Sequence, residues 1–101
     1  MKFIVNIEMP VEPFNTMARD GTVGQVLEEI LEDIDPEVAY FYAPGGCRGC
    51  MLVVDMEDAS AIPSIAEPFF LKFGARFEIH VAMSPADLAR GGLASLGEKW
   101  G

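Results

Sequence analysis

The chain is poor in the residues that usually carry chemistry. It has one histidine, two cysteines and one tryptophan in 101 residues. The cysteines form a single CxxC, Cys47-Arg48-Gly49-Cys50, with no second pair and no histidine pair to complete the four ligands of a structural zinc. Two thiols so close together cannot make a disulfide framework, and the pair sits in loop-like sequence without the helix N-terminus that activates a redox CxxC. Cations are also scarce: seven bases face sixteen acids, a net charge of −9. The bases are scattered singly, which excludes nucleic acid and anionic membrane surfaces as partners. No run approaches the ~18 apolar residues of a membrane span. The stretch from Phe3 to Glu8 meets polar residues too early for a signal-peptide core, so a cytoplasmic protein is expected. Repeats, low-complexity tracts and linkers are absent.

What is present is apolar material. Half of the residues are hydrophobic, which excludes intrinsic disorder and supplies one core, so residues 1–101 read as one domain. Phe3, Val5, Ile7 and Met9 alternate with Ile4, Asn6 and Glu8, predicting a strand over 2–9. The 9–21 segment, punctuated by Pro10 and Pro13, reads as a connection. Thr22 and Gln25 suggest a capping box before Val23, Val26, Leu27, Ile30, Leu31 and Ile34, an amphipathic helix stopped at Asp35-Pro36. Residues 38–43 and 50–56 read as a hairpin around the Pro44–Gly49 loop. Residues 60–73 read as a second helix, kinked at Pro68, and Phe77 to Met83 as a fourth strand. Ser84-Pro85-Ala86-Asp87 opens a third helix.

This order, β-α-β-β-α-β with a C-terminal helical extension, predicts an α+β ferredoxin-like fold. Right-handed crossovers give an antiparallel sheet in the order 4-1-3-2, with helices on one face only. The other face carries Ile4, Asn6, His80 and Ala82 with some of Tyr40, Phe41, Tyr42, Met51 and Val53. It is too apolar to leave in water, so a second sheet from an identical subunit is expected to cover it.

His80 is the one side chain whose ordinary titration lies near neutral pH, and Asn6 and Glu78 are expected on its face, so it is the candidate general base. Arg19, Arg48 and Arg76 fall in or beside the 9–21, 43–49 and 74–76 segments, which the topology brings to one edge. There they either hold a ligand carboxylate or enolate, or pair with Glu12, Asp20 or Glu78. Tyr40, Tyr42, Phe14, Phe70 and Trp100 either line an aromatic pocket or belong to the core. The acids of the first helix, Glu28 to Glu37, read as a solvated face.

Four segments carry a resemblance: Met9 to Asn15, Arg19-Asp20-Gly21-Thr22, Ala66 to Phe70, and Leu96 to Gly101. In them the chain resembles small bacterial proteins of the dimeric α+β barrel superfamily. Within it, the chain is similar to small accessory proteins encoded in biosynthesis clusters for prodiginine, a tripyrrole pigment. The resemblance implies a homodimer with face-to-face sheets and a ligand cleft in each subunit. The expected function is binding of a small, flat, partly apolar metabolite, such as a pyrrole intermediate, by an auxiliary biosynthetic protein. Asn15, Arg19 and Tyr40 are the expected ligand contacts, with His80 as proton donor or acceptor. The alternative is a cofactor-free isomerase or monooxygenase-type enzyme with His80 as general base. Neither cofactor nor metal is expected in either.

Overall fold

Alternation of side chains along four strands builds a sheet with one dry face. The computed structural model describes all 101 residues, beginning with β1 (Lys2–Met9) and α1 (Val11–Asp20). These are followed by α2 (Val23–Ile34), β2 (Val38–Tyr42), β3 (Arg48–Asp55), α3 (Ile62–Phe73) and β4 (Arg76–Ala82). Two short helices, α4 (Pro85–Arg90) and α5 (Leu93–Trp100), end the chain. The strands hydrogen-bond in the order β2-β3-β1-β4, every neighbour antiparallel. This is the expected ferredoxin-like α+β fold.

Register sorts the residues. Directly paired residues share a face, so Val5 with Leu52 and Ile79, and Ile7 with Cys50 and Phe77, point to the helices. There Phe69 and Phe73 of α3 and Ile30 of α2 close a core that contains no buried polar or charged residue. α3 runs unbroken through Pro68 and ends at Gly74, which takes the left-handed conformation (φ +60°) that glycine accepts without strain.

Three local expectations need correction. The 9–21 segment is a helix, because Pro13 falls in its first turn, where no backbone N–H is required. Glu12 stays extended (φ −111°, ψ 144°), and its carboxylate accepts from the Thr16 N–H (3.1 Å) and hydroxyl (2.7 Å), capping the turn. Thr22 makes no capping box with Gln25: its N–H (3.0 Å) and hydroxyl (2.6 Å) both donate to Asp20. The C-terminal extension is two helices, since Gly92 adopts φ +74° and breaks the run after Gly91. Ser84 and Asp87 do form a reciprocal capping box at its start.

Candidate functional site

The sheet face without helices holds the polar groups of the strands other than Arg48, which shares the helix face with Met9. Across it run three rows of paired residues: Tyr42, Gly49, Glu8, Arg76; then Tyr40, Met51, Asn6, Glu78; then Val38, Val53, Ile4, His80. Successive residues of the same parity on β4 thus place Arg76, Glu78 and His80 in one column. Glu78 is the hub. Its Oε1 lies 3.5 Å from an Arg76 guanidinium nitrogen and its Oε2 3.7 Å from His80 Nε2. The Tyr42 hydroxyl donates to Asn6 Oδ1 at 3.0 Å.

These groups surround a cavity of about 200 Å³ lined by Asn6, Glu8, Tyr42, Pro44, Arg76 and Glu78, with His80 beside it on the same column. Gly49 makes the cavity wall possible. A Cβ there would stand 2.5 Å from the Ile7 carbonyl oxygen and 2.6 Å from the Pro44 ring, so only glycine lets the 44–46 turn fold down beside β1. The site then offers a cation for an oxyanion, a hydroxyl–amide pair for a second oxygen, and an imidazole with a carboxylate behind it. That is a set suited to moving a proton on an oxygenated small molecule.

The four residues singled out from sequence do not gather at one point. His80 and Tyr40 share the open face, but His80 stands on the β4 edge and Tyr40 on the β2 edge. Asn15 and Arg19 lie on α1. Asn15 lines a separate cavity of about 480 Å³ with Met9, Val11, Cys47 and Arg48, where Arg48 Nη1 donates to its Oδ1 at 2.7 Å. Arg48 also stacks over the Phe14 ring, 4.2 Å from its centroid. Arg19 is outside that cavity, 76% exposed, 3.8 Å from Glu12. The three arginines therefore do not converge: Arg19 and Arg76 each sit on a glutamate and Arg48 on Asn15 and Phe14. Glu78 and Asn6 lie on the His80 face as expected, and Arg76 joins them because it is two residues before Glu78. Sequence reading missed Gly49 and the stacking of Arg48; the first had a visible signal, a glycine one residue before an apolar strand.

The thiols are poorly disposed to react. Cys50 is buried in the core, and burial pushes its thiol up to about 11. Cys47 is exposed, and the Glu8 carboxylate, as hydrogen-bond acceptor and as negative charge, raises its thiol above the ordinary value. Both are held as thiols near neutral pH, whereas nucleophiles and metal ligands act as thiolates.

No protein-family model matches this chain, and no curated protein sequence matches it. Among solved structures, it is similar to the 5-chloro-2-hydroxyhydroquinone dehydrochlorinase TftG of Burkholderia phenoliruptrix AC1100, in complex with 2,5-dihydroxybenzoquinone. The TM-score is 0.62 at 14% identity, over 85% of this chain and 97% of that one. A de novo designed protein, Ferredog-Diesel, aligns with a TM-score of 0.46 at 9% identity, over 80% of this chain and 85% of that one. At 14% identity the likeness to the dehydrochlorinase shows a common fold, the ferredoxin-like α+β arrangement that the strand order gives independently.

Proposed function

We propose that the protein acts on a small oxygenated ring compound at the open sheet face, by proton transfer through His80 and without a cofactor. The observation that carries this is the column Arg76–Glu78–His80, a base with a carboxylate behind it and an anion anchor two residues away. Arg76 neutralises a phenolate, enolate or carboxylate oxygen; Tyr42 and Asn6 bind a second oxygen. Glu78 orients the imidazole, and His80 takes the proton from oxygen or carbon and returns it elsewhere on the ring. The apolar remainder of the face, Ile4, Met51, Val53 and Tyr40, suits a flat ring. Two copies packed sheet against sheet close the site and remove this face from water, which makes the working unit a homodimer.

The ligand class draws support from the fold neighbour, which is in complex with a dihydroxyquinone. Titration with 2,5-dihydroxybenzoquinone, followed by its visible absorbance, tests the reading. Wild type is expected to bind, Arg76→Ala to weaken binding by about 1.5–3 kcal/mol, the range for a hydrogen bond to a charged group. His80→Gln is expected to keep affinity and stop proton exchange or turnover of hydroxylated rings such as 5-chloro-2-hydroxyhydroquinone. Equal behaviour of all three proteins overturns the assignment.

A second reading follows from the Asn15–Arg48 cavity, which joins one cation to the apolar Met9 and Val11. It describes an auxiliary protein that holds a flat, partly apolar metabolite without turnover, such as the pyrrole intermediate implied by the resemblance to accessory proteins of prodiginine clusters. Binding of a pyrrole aldehyde that survives Arg76→Ala and His80→Gln but fails in Asn15→Ala selects this reading.

A further inference from the structure

Residues 84–101 stay outside the core of their own chain. No residue of α4 or α5 is buried, and none packs against the hydrophobic core. Leu88, Leu93, Leu96 and Trp100 stay exposed, Trp100 at 76%. The shape shows the same thing: the chain measures 60 × 28 × 19 Å with a radius of gyration of 17.2 Å. A compact chain of this length has about 13 Å. Helices of six and eight residues are too short to persist alone in water, where about 12–15 residues are marginal, so this arm needs a surface to lie on.

A matching surface exists on the helix side of the sheet, where β4 ends. It is an apolar groove of about 390 Å³ formed by Phe3, Ile62, Ile79 and Val81, with Glu57 and Asp58 at its rim. The arm carries two acids and two bases, so the rest of the chain bears the whole charge of −9. A neutral arm is not repelled by an acidic body, and it carries Lys99 and an Arg90 paired with Asp87. The arm does not reach the groove of its own chain. The Ser84 backbone is extended (φ −73°, ψ 164°), and the reciprocal Ser84–Asp87 bonds, both 3.0 Å, fix where α4 begins.

Interface area points to the occupant. Four strands about 4.8 Å apart and about seven residues long at 3.3 Å each give a face of roughly 450 Å². A stable interface takes about 800 Å² of accessible surface from each partner, and an exchanged pair of arms adds Leu88, Leu93, Leu96 and Trp100 to what two chains bury. We propose that residues 84–101 are an exchange arm: in a pair of chains, the arm of each lies in the β4-end groove of the other. This rests on the pairing of two chains put forward above, and not on the proton-transfer chemistry.

Trp100 is the only tryptophan and therefore reports the arm directly. In full-length protein that light scattering shows to be dimeric, its emission is expected to be blue-shifted and protected from iodide, and to turn solvent-like on dilution to monomer. Leu96→Asp in the arm and Val81→Asp in the groove should each expose Trp100 and raise the dimer dissociation constant at least tenfold, with far-ultraviolet circular dichroism checking the fold. An equimolar mixture of the two variants should regain part of the protected signal, because one arm–groove pair is intact in the mixed dimer. Solvent-like Trp100 in the dimer overturns the proposal, as does a blue-shifted Trp100 that survives dilution to monomer, which means docking on its own chain. Tyr40→Asp separates the two readings. A dimer that survives it but not Leu96→Asp keeps the arm and discards sheet pairing, and the reverse pattern discards the arm.

Discussion

The two faces of the sheet come from the same strands and differ in nearly every physical respect. On the helix side Val5, Cys50 and Leu52 are wholly inaccessible, and no polar side chain is buried among them. On the other side stand Asn6, Glu8, Tyr40, Tyr42, Arg76, Glu78 and His80, with His80 61% exposed. A strand offers only two directions, so a dry core on one side sends the polar strand residues to the other, except Arg48 at the end of β3, which pairs with Met9 and lies over Phe14 of α1. The division separates stability from solvation: one face holds the fold together, and the other leaves its polar side chains in water.

The largest effect that tests this division is on the covered face. Phe69 of α3 is fully buried in the core, and Phe69→Ala is expected to cost about 3–5 kcal/mol in chemical denaturation, the usual loss for a buried aromatic. Tyr40→Ala on the open face, 65% exposed, is expected to change unfolding of the isolated chain by less than about 0.5 kcal/mol. Similar costs at the two positions break the comparison. Next in size is the loss of ligand affinity in Arg76→Ala, with no accompanying change in chain stability, since its partner Glu78 stays solvated.

The covered face also has an alkaline signature. The Cys50 thiol ionises near 9.0 in an unfolded chain and at about 11 when buried. Between those values the unfolded state holds fewer protons than the folded one, so stability falls as pH rises through that window. Below it the thiol is neutral in both states and contributes no slope. Cys50→Ala should flatten the decline, as read from denaturation midpoints at pH 8, 9, 10 and 11; an unchanged slope assigns the decline to other groups. Cys47, exposed, should be alkylated in the native protein well before Cys50.

How much of this was legible in the sequence follows the same line. Period-two alternation in Phe3 to Met9 and Phe77 to Met83 needs only burial on one side, and it located β1 and β4, their faces, and His80 with Asn6 and Glu78. Strand order followed from crossover handedness. α1 was not legible because Pro10 and Pro13 mark both loops and helix starts, and only the capping of Thr16 by Glu12 decides between them. Losing α1 also hid the stacking of Arg48 on Phe14, which requires both a helix at 13–20 and the hairpin at 48. The break at Gly91-Gly92 was visible as glycines, but two short helices with no packing are not something that periodicity specifies. Within the site, the Arg76–Glu78–His80 column lies on one strand and was readable. Tyr42 and Asn6 meet only through the register of three strands, which a one-residue slip would change.

The smallest expected effect concerns α1 and separates two partners of one carboxylate. Glu12 is held below the ordinary carboxylate range first by the Thr16 hydroxyl, then by the Thr16 N–H, and only afterwards by the charges of Arg19 and Arg48. A carboxyl depressed in the folded state contributes stability above its unfolded value and loses it as pH falls through the folded one. Arg19 reaches Glu12 only at 3.8 Å with both side chains in water, where screening and side-chain entropy cancel most of the attraction. Arg19→Ala is therefore expected to leave both the denaturation midpoint at pH 7 and the acid limb within experimental scatter. Thr16→Val removes the hydroxyl hydrogen bond and should shift the acid limb toward higher pH. An acid limb that moves in Arg19→Ala and stays put in Thr16→Val would make the ion pair, and not the helix cap, the reason that α1 starts where it does.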